Sequence, residues 1–221
     1  MTSDWAVIPV KGLADSKTRL SMYLATERSA FVEALLQDVL HSVVHSRMYD
    51  EIIVTSPDEN VGVHTRSRRV SFLKQTGYGL NRAVEQANRF ALREDANSLT
   101  TILADIPLAE TSDFVEIFHL GHHDRSLVMV PSLKSGTNVM MGRPPGIVKP
   151  SYGRWSYSKH LRQAQLQSVP VYSVANSRMS FDIDTVNDLV ELKRRDSKLR
   201  TLSARVLARV DLTPQPIRVA Y

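Results

Sequence analysis

The 221-residue chain predicts an α/β fold, with a mostly parallel central sheet and helices on both faces. Three observations predict it. Short apolar runs such as Trp5–Val10 and Glu51–Thr55 alternate with longer stretches of helical periodicity. Hydrophobic residues make up 43% of the chain, enough for a substantial core. Polar clusters also stand where apolar runs end: Lys11, Lys17 and Arg19 after Val10, Asp105 after Thr100–Ala104, and Asp182 and Asp184 after Met179–Phe181. Ligands of open α/β sheets bind beyond the carboxyl ends of the strands, where these clusters fall.

The elements follow in order. Trp5–Val10 reads as the first strand. Thr26 is placed to cap a helix whose apolar face carries Phe31, Leu35, Leu36, Val39 and Val43. Glu51–Thr55 is a buried-type strand stopped by Ser56-Pro57-Asp58, and Val70–Leu73 is another. Gly77-Tyr78-Gly79 interrupts the chain before a helix with Val84, Ala87, Phe90 and Ala91 on one face. Thr100–Ala104 is a strand, and Ser112 caps a short helix ending near Gly121. Leu127–Pro131 and Val139–Gly142 are strands around a Ser135–Asn138 turn, and Arg143–Gly146 is irregular. Ser156 caps a helix through Gln167, Val171–Val174 is a strand, and Thr185 caps a last helix whose Asp188 faces solvent. No repeat or linker stands out. The expectation is one domain, 1–221, with a basic, less regular tail over 197–221.

Composition excludes several classes. With no cysteine, there is no disulfide, thiolate metal site or thiol nucleophile. No 18-residue apolar run is present, and Asp4 interrupts any secretory pattern, so a cytoplasmic protein with no membrane partner is expected. Net charge is +5, concentrated in Lys193, Arg194, Arg195, Lys198, Arg200, Arg205 and Arg209, with a smaller group at Arg66, Arg68 and Arg69. Such runs are ordinarily solvated faces, and the C-terminal one lacks the interleaved aromatics of a nucleic-acid surface. A nucleic-acid-binding domain therefore remains only as the alternative outside enzymes.

The candidate chemistry lies in the strand-end clusters. Lys11, Lys17 and Arg19 are suited to neutralise a triphosphate, although the same loop also reads as solvated surface whose charges contribute little to folding. Gly12–Thr18 is no P-loop, because Ser16 stands where the second glycine belongs. Asp105 is a metal ligand or a turn cap. Asp182 and Asp184, two apart in an extended segment, can face one ion, and Mg²⁺ takes one or two carboxylates plus phosphate oxygens and water. Ser135–Asn138 and Tyr152–Ser156 are turns able to meet an anion. The seven histidines form no zinc motif, and no G-x-S-x-G elbow occurs.

Taken together, Ile8-Pro-Val-Lys11 with Ser16–Leu20, Gly79-Leu-Asn81, Ala104–Leu108, Gly136-Thr-Asn138 with Arg143-Pro-Pro145, Tyr152-Gly153 with Ser156 and His160, and Asp182–Thr185 with Asp188-Leu189 resemble the 2-phospho-L-lactate guanylyltransferase family of coenzyme F-420 biosynthesis. The resemblance runs over roughly residues 5–192. It implies a glycosyltransferase-A-like nucleotidyltransferase that joins GMP from GTP to the phosphate of 2-phospho-L-lactate and releases diphosphate. Phosphoenolpyruvate and 3-phospho-D-glycerate are the alternative acceptors, and another nucleotidyltransferase, making a nucleotide-sugar or molybdopterin dinucleotide, is the alternative reaction. By the resemblance, Lys11, Lys17 and Arg19 bind the nucleotide phosphates and Asn81 lies near the nucleoside. Lys11, Lys17 and Asp105 are catalytic, Asp105, Asp182 and Asp184 hold Mg²⁺, and Thr137, Gly153 and Ser156 hold the phosphorylated acid. A homodimer, with handover of product to a downstream phospholactate transferase, is expected. Ser135, where a Gly-Gly-Thr-Asn phrase is usual, Gly12, Tyr152 and Val186-Asn187 depart from the family pattern.

Overall fold

Seven strands form one sheet in a computed structural model that describes residues 3–13, 15–65 and 69–212. They are β1 (Asp4–Pro9), β2 (Glu51–Ser56), β3 (Val70–Lys74), β4 (Ser98–Ile102), β5 (Ser126–Pro131), β6 (Thr137–Arg143) and β7 (Val171–Ser173). Their order is β3-β2-β1-β4-β6-β5-β7. β6 runs antiparallel to both neighbours, and every other pairing is parallel. The helices are α1 (Ser21–Leu24), α2 (Arg28–Ser46), α3 (Glu59–Thr65), α4 (Leu80–Arg93), α5 (Thr111–Leu120), α6 (Ser156–Leu166), α7 (Val186–Arg195) and α8 (Leu202–Leu207).

Strand alternation sorts the helices onto the two faces. In β1, Ala6 and Ile8 point into a core with Leu36, Val39 and Val43 of α2 and Phe114 and Ile117 of α5. Trp5 and Val7 point the other way, onto Ala87 and Ala91 of α4. Further along that second face, Val84 and Ala164 of α6 cover Leu127 and Met129 of β5. Burying each such aliphatic side chain is worth about 1.5–3 kcal/mol.

The topology also locates the cleft. After β1 the chain moves outward through β2 and β3, then returns to place β4 on the other side of β1. The C-terminal ends of β1 and β4 thus diverge at a switch point, where a crevice opens. Because β6 is antiparallel, with Val139 opposite Ile102, its first residues, Thr137 and Asn138, join that same edge.

Local interactions explain where the elements differ from expectation. Thr26 caps nothing: it lies in a 3₁₀ turn, Ala25–Glu27, and α2 begins after Glu27. Ser112 is already helical, because Glu110 and Asp113 form the capping box of α5. Ser156 is the first residue of α6, after Trp155 at φ 60°. β4 starts and ends two residues earlier than read, placing Leu103 and Ala104 beyond it. The Met179–Phe181 run is no strand. Asn176 Oδ1 accepts from the N–H groups of Arg178 and Met179, and its carbonyl accepts from Ser180, folding the segment into a turn. α3 was not anticipated after Ser56-Pro57-Asp58, where Asp58 Oδ1 caps the Asn60 N–H. Thr185 does cap α7 in a box with Asp188.

The segment read as a less regular tail contains α8, whose buried Ala204 and Leu207 pack toward α2. Asp38 of α2 accepts the N–H groups of Leu202 and Ser203 at its start. Residues 213–221, Arg66 and Arg68 lie outside the described residues. Among the described residues, no helix is long and apolar enough to cross a membrane.

Candidate active site

A cleft of about 640 Å³ opens at the switch point. Lys11, Lys17 and Arg19 line it together with Asp105, Asp184, Gln75, Tyr78, Gly79 and Leu80. Lys11 and Arg19 are exposed. Lys17 does not fit the alternative reading of this loop as solvated surface: its side chain is 13% exposed and its backbone is left-handed, at φ 53°. It turns inward and donates to Asp105 Oδ2 at 2.6 Å and to Asp184 Oδ1 at 3.0 Å.

A single main-chain bond explains how distant residues meet here. Ile183 N donates to Asp105 O, laying the Asp182–Asp184 segment beside the end of β4. Asn138 Nδ2 anchors the same segment through Met179 O, and Leu133 N does so through Ser180 O. A second lysine, absent from the sequence reading, completes the cluster. Lys134 Nζ lies 2.7 Å from Asp188 Oδ2, 3.5 Å from Asp182 Oδ2 and 3.6 Å from Asp184 Oδ2. Asp188, expected in solvent, instead pairs with Lys134 and accepts from Asp184 N and Thr185 N. Lys134 adjoins the Ser135–Asn138 turn, so an unpaired basic residue next to a glycine turn was the available signal.

The electrostatics follow from this interleaving. Burial alone would lower the Lys17 pKa, but Asp105 and Asp184 outweigh it and hold the ammonium raised. Lys134 is likewise raised by Asp188, Asp182 and Asp184 against the opposing effect of burial. Asp182 is pushed up by burial, by its hydrogen bond with Asp184 and by the charge of Asp105. Asp184 is held down: burial opposes ionisation there, but Lys17 and the bond to Asp182 prevail.

These donors suit a divalent cation. Asp105 Oδ1 is buried without a hydrogen-bond partner. Asp182 is raised chiefly by burial and further by its neighbours Asp184 and Asp105, and an added cation offsets both the burial of the charge and the repulsion. Among the described residues, no three acidic or histidine side chains form a ready cage, and Lys17 and Lys134 stand between the acids. The arrangement therefore fits an ion shared with phosphate oxygens rather than one held by protein alone.

The other predicted residues gather beyond the cleft. Asn81 takes both hydrogen-bonding groups of Tyr152, accepting from its N–H at 2.7 Å and donating to its carbonyl at 3.3 Å. It thereby ties the start of α4 to the Tyr152–Ser156 turn. Gly153 is exposed at φ 114°, a conformation that favours glycine. Thr137 and Ser156 are buried and share a hydrogen bond of 3.2 Å. The basic C-terminal residues are largely engaged within the chain. Arg194 and Arg195 pair with Glu191, Lys193 donates to Val210 O, and Arg205 donates to Leu199 O.

A mixed, mostly parallel sheet with a cleft lined by lysines, an arginine and carboxylates at its switch point has the glycosyltransferase-A-like fold that solved nucleotidyltransferases share. A solved structure of a protein from Desulfovibrio desulfuricans shares that fold, with a TM-score of 0.75 and 16% identity over 94% of this chain and 95% of that one. The chain belongs to the CofC-like guanylyl transferase family, whose model matches residues 5–212. Phosphoenolpyruvate guanylyltransferases of Sphaerobacter thermophilus and Rubrobacter xylanophilus are 35% and 33% identical, over 85% and 86% of this chain and 91% and 94% of theirs. A 2-phospho-L-lactate guanylyltransferase of Methanocaldococcus vulcanius is 28% identical over 88% of this chain and 86% of its own. Membership makes the chain a guanylyltransferase, a chemistry that implies a divalent metal.

Proposed function

We propose that this chain transfers GMP from GTP to the phosphate of phosphoenolpyruvate, releasing diphosphate, as a step of coenzyme F-420 biosynthesis. The observation that carries the acceptor is the similarity to two phosphoenolpyruvate guanylyltransferases, at 35% and 33% identity, against 28% and 32% for two 2-phospho-L-lactate guanylyltransferases. The latter two keep 2-phospho-L-lactate, the acceptor first suggested by the sequence motifs, as a second reading.

A phosphate oxygen of the acid attacks the α-phosphorus of GTP, and the bond to the β-phosphate bridging oxygen breaks. A phosphate monoester is largely dianionic at neutral pH, since its second pKa is about 6, so the nucleophile needs no general base. The barrier is set by bringing two polyanions together, and positioned positive charge lowers it. Lys11 and Arg19 face the triphosphate from the wall of the cleft. Lys17, held cationic by Asp105 and Asp184, stands at the reacting end. Mg²⁺, when bound through Asp105, Asp182 and Asp184, supplies further charge neutralisation at the phosphates. Thr137, Gly153 and Ser156 hold the acid, and Asn81 fixes the turn that carries Gly153 relative to the nucleoside side of the cleft.

The test is to incubate the protein with GTP, Mg²⁺ and each of phosphoenolpyruvate, 2-phospho-L-lactate and 3-phospho-D-glycerate, and to identify products by mass. The reading expects diphosphate release and the guanylylated enolpyruvyl product at the highest kcat/KM. A higher value with 2-phospho-L-lactate overturns the choice of acceptor, and no product with any acid overturns the reaction.

A further inference from the structure

His160 is fully buried, and the reaction above makes no use of it. Both ring nitrogens are engaged. Nε2 lies 2.9 Å from the backbone nitrogen of Ser151, and Nδ1 lies 3.1 Å from Thr137 Oγ1. A backbone N–H can only donate, so Nε2 must accept and carries no proton. The ring proton therefore sits on Nδ1 and is donated to Thr137. Burial, reinforced by nearby Lys159, lowers the pKa to about 4, so the ring is neutral at physiological pH. Tyr152 packs edge-on against it with ring centroids 5.1 Å apart.

A proton count then has one outcome. Nδ1–H, the Thr137 hydroxyl and the Ser156 hydroxyl bring three protons to this cluster. The cluster has two contacts, His160 to Thr137 and Ser156 to Thr137, and each consumes one proton. One hydroxyl proton is left, whichever way the Ser156–Thr137 bond points. No group of the cluster accepts it; both side chains are buried, so an acceptor meets it from the side of the exposed Gly153 turn, and an oxyanion is the acceptor that gains most from it. With the opposite tautomer, Nδ1 would accept from Thr137 and the surplus proton would be used up inside the cluster.

We propose that His160 is a positioning residue for the acceptor acid: locked as the Nδ1–H tautomer by the Ser151 N–H, it leaves the Thr137–Ser156 hydroxyl pair with one proton to donate to the acid's carboxylate or phosphate. The proposal rests on the reading that these hydroxyls meet the acid. The same ring fixes distance as well as polarity, because Ser151 precedes Tyr152, whose main chain is held by Asn81. His160 thus connects α6, the start of β6 and the turn bearing Gly153.

Two measurements test it. Nitrogen-15 NMR of the wild-type protein at pH 7 is expected to show a neutral His160 ring protonated at Nδ1; an Nε2–H tautomer or an imidazolium overturns the proposal. Kinetics with phosphoenolpyruvate and GTP, titrated separately, form the second. His160→Phe leaves the hydroxyl pair its spare proton by the same count but removes the Nδ1–H bond that orients Thr137 and the acceptor that holds Ser151, so it is expected to raise KM for the acid about tenfold, as when a hydrogen bond to an anion is no longer held in place, with KM for GTP within twofold. His160→Gln, whose amide can accept from Ser151 and donate to Thr137, is expected to restore most of that loss. An equal rise for both substrates in His160→Phe, or no restoration by glutamine, overturns the positioning role. Thr137→Val separates this role from the reading beneath it. If it selectively weakens the acid while His160→Phe does not, only the role of His160 fails. If neither weakens the acid, the placement of the acid fails. Should His160→Phe not fold, the tautomer measurement still decides.

Discussion

Replacing Lys17 by methionine keeps the aliphatic stem and deletes the charge that holds Asp105 and Asp184 together. At separations of 2.6 and 3.0 Å, each contact is worth about 6 kcal/mol at an effective dielectric near 20. Dehydration of the ammonium and both carboxylates cancels most of this. Asp184, 44% exposed, is screened by water, whereas Lys17 and Asp105 are largely covered. The net therefore lies between the 0–1 kcal/mol of an exposed pair and the 3–5 kcal/mol of a broken buried one, at about 2 kcal/mol. For a chain of this size that is about 4–8 °C in Tm. The sign with pH follows from the shifts. Lys17 is raised, so its stabilisation is present at all pH values below the ordinary lysine value near ~10.4 and is lost only as pH rises through the folded value. Asp184 is depressed, so its share is present above about 3.9 and is lost as pH falls through its folded value. The Tm difference between wild type and Lys17→Met should be flat from pH 7 to 9, begin to change near 6 as Asp182 takes up a proton, and close in acid. Diphosphate release with GTP should fall about 10²- to 10³-fold in kcat/KM, as when one charge stabiliser of a transition state is removed. A Tm within 1 °C of wild type, together with kcat/KM within twofold, would refute both the bridging and the catalytic role.

Asp105→Asn keeps the shape at the end of β4 but removes an anionic donor. The expected result is a hundredfold or greater loss of kcat with retained fold by circular dichroism, and full activity at saturating Mg²⁺ would argue against a metal role. Asp113 is bonded by Arg178 and Asn176, tying the turn before Asp182 to α5. Burial raises its pKa, but those bonds prevail and hold it low, so its stabilisation is present above about 3.9 and lost as pH falls through the folded value. Asp113→Asn should cost about 2 kcal/mol at pH 7 and flatten the acid limb of stability, measured by urea melts from pH 2 to 7; an unchanged limb would count against it. Asp38→Ala leaves the Thr201 cap of α8 but removes the acceptor of its first two N–H groups, and should cost about 1–2 kcal/mol while sparing KM for GTP. Unchanged amide protection in residues 202–207 would show that α8 is held by other contacts.

Much of the fold was written in local pattern. Period-two runs of Val and Ile, period-3.6 apolar faces and the Thr185 cap each report on a few neighbouring residues, so a linear reading recovers them, although it left Asp188, the other half of that capping box, in solvent. It failed where a distant or competing group chose the local state. Asn176 bends Met179–Phe181 into a turn, and Glu110 takes the cap assigned to Ser112. The types of residue needed at the site were equally legible, because phosphate chemistry demands cations and carboxylates wherever the chain places them. Their partners were not. Nothing near Lys17 in the sequence announces Asp105 or Asp184, 88 and 167 residues away, and nothing marks Lys134 as the cation between Asp182 and Asp188. Only the packed structure decides those pairings. It makes β6 antiparallel and bonds Ile183 to Asp105, and burial then compels each charge to find its opposite.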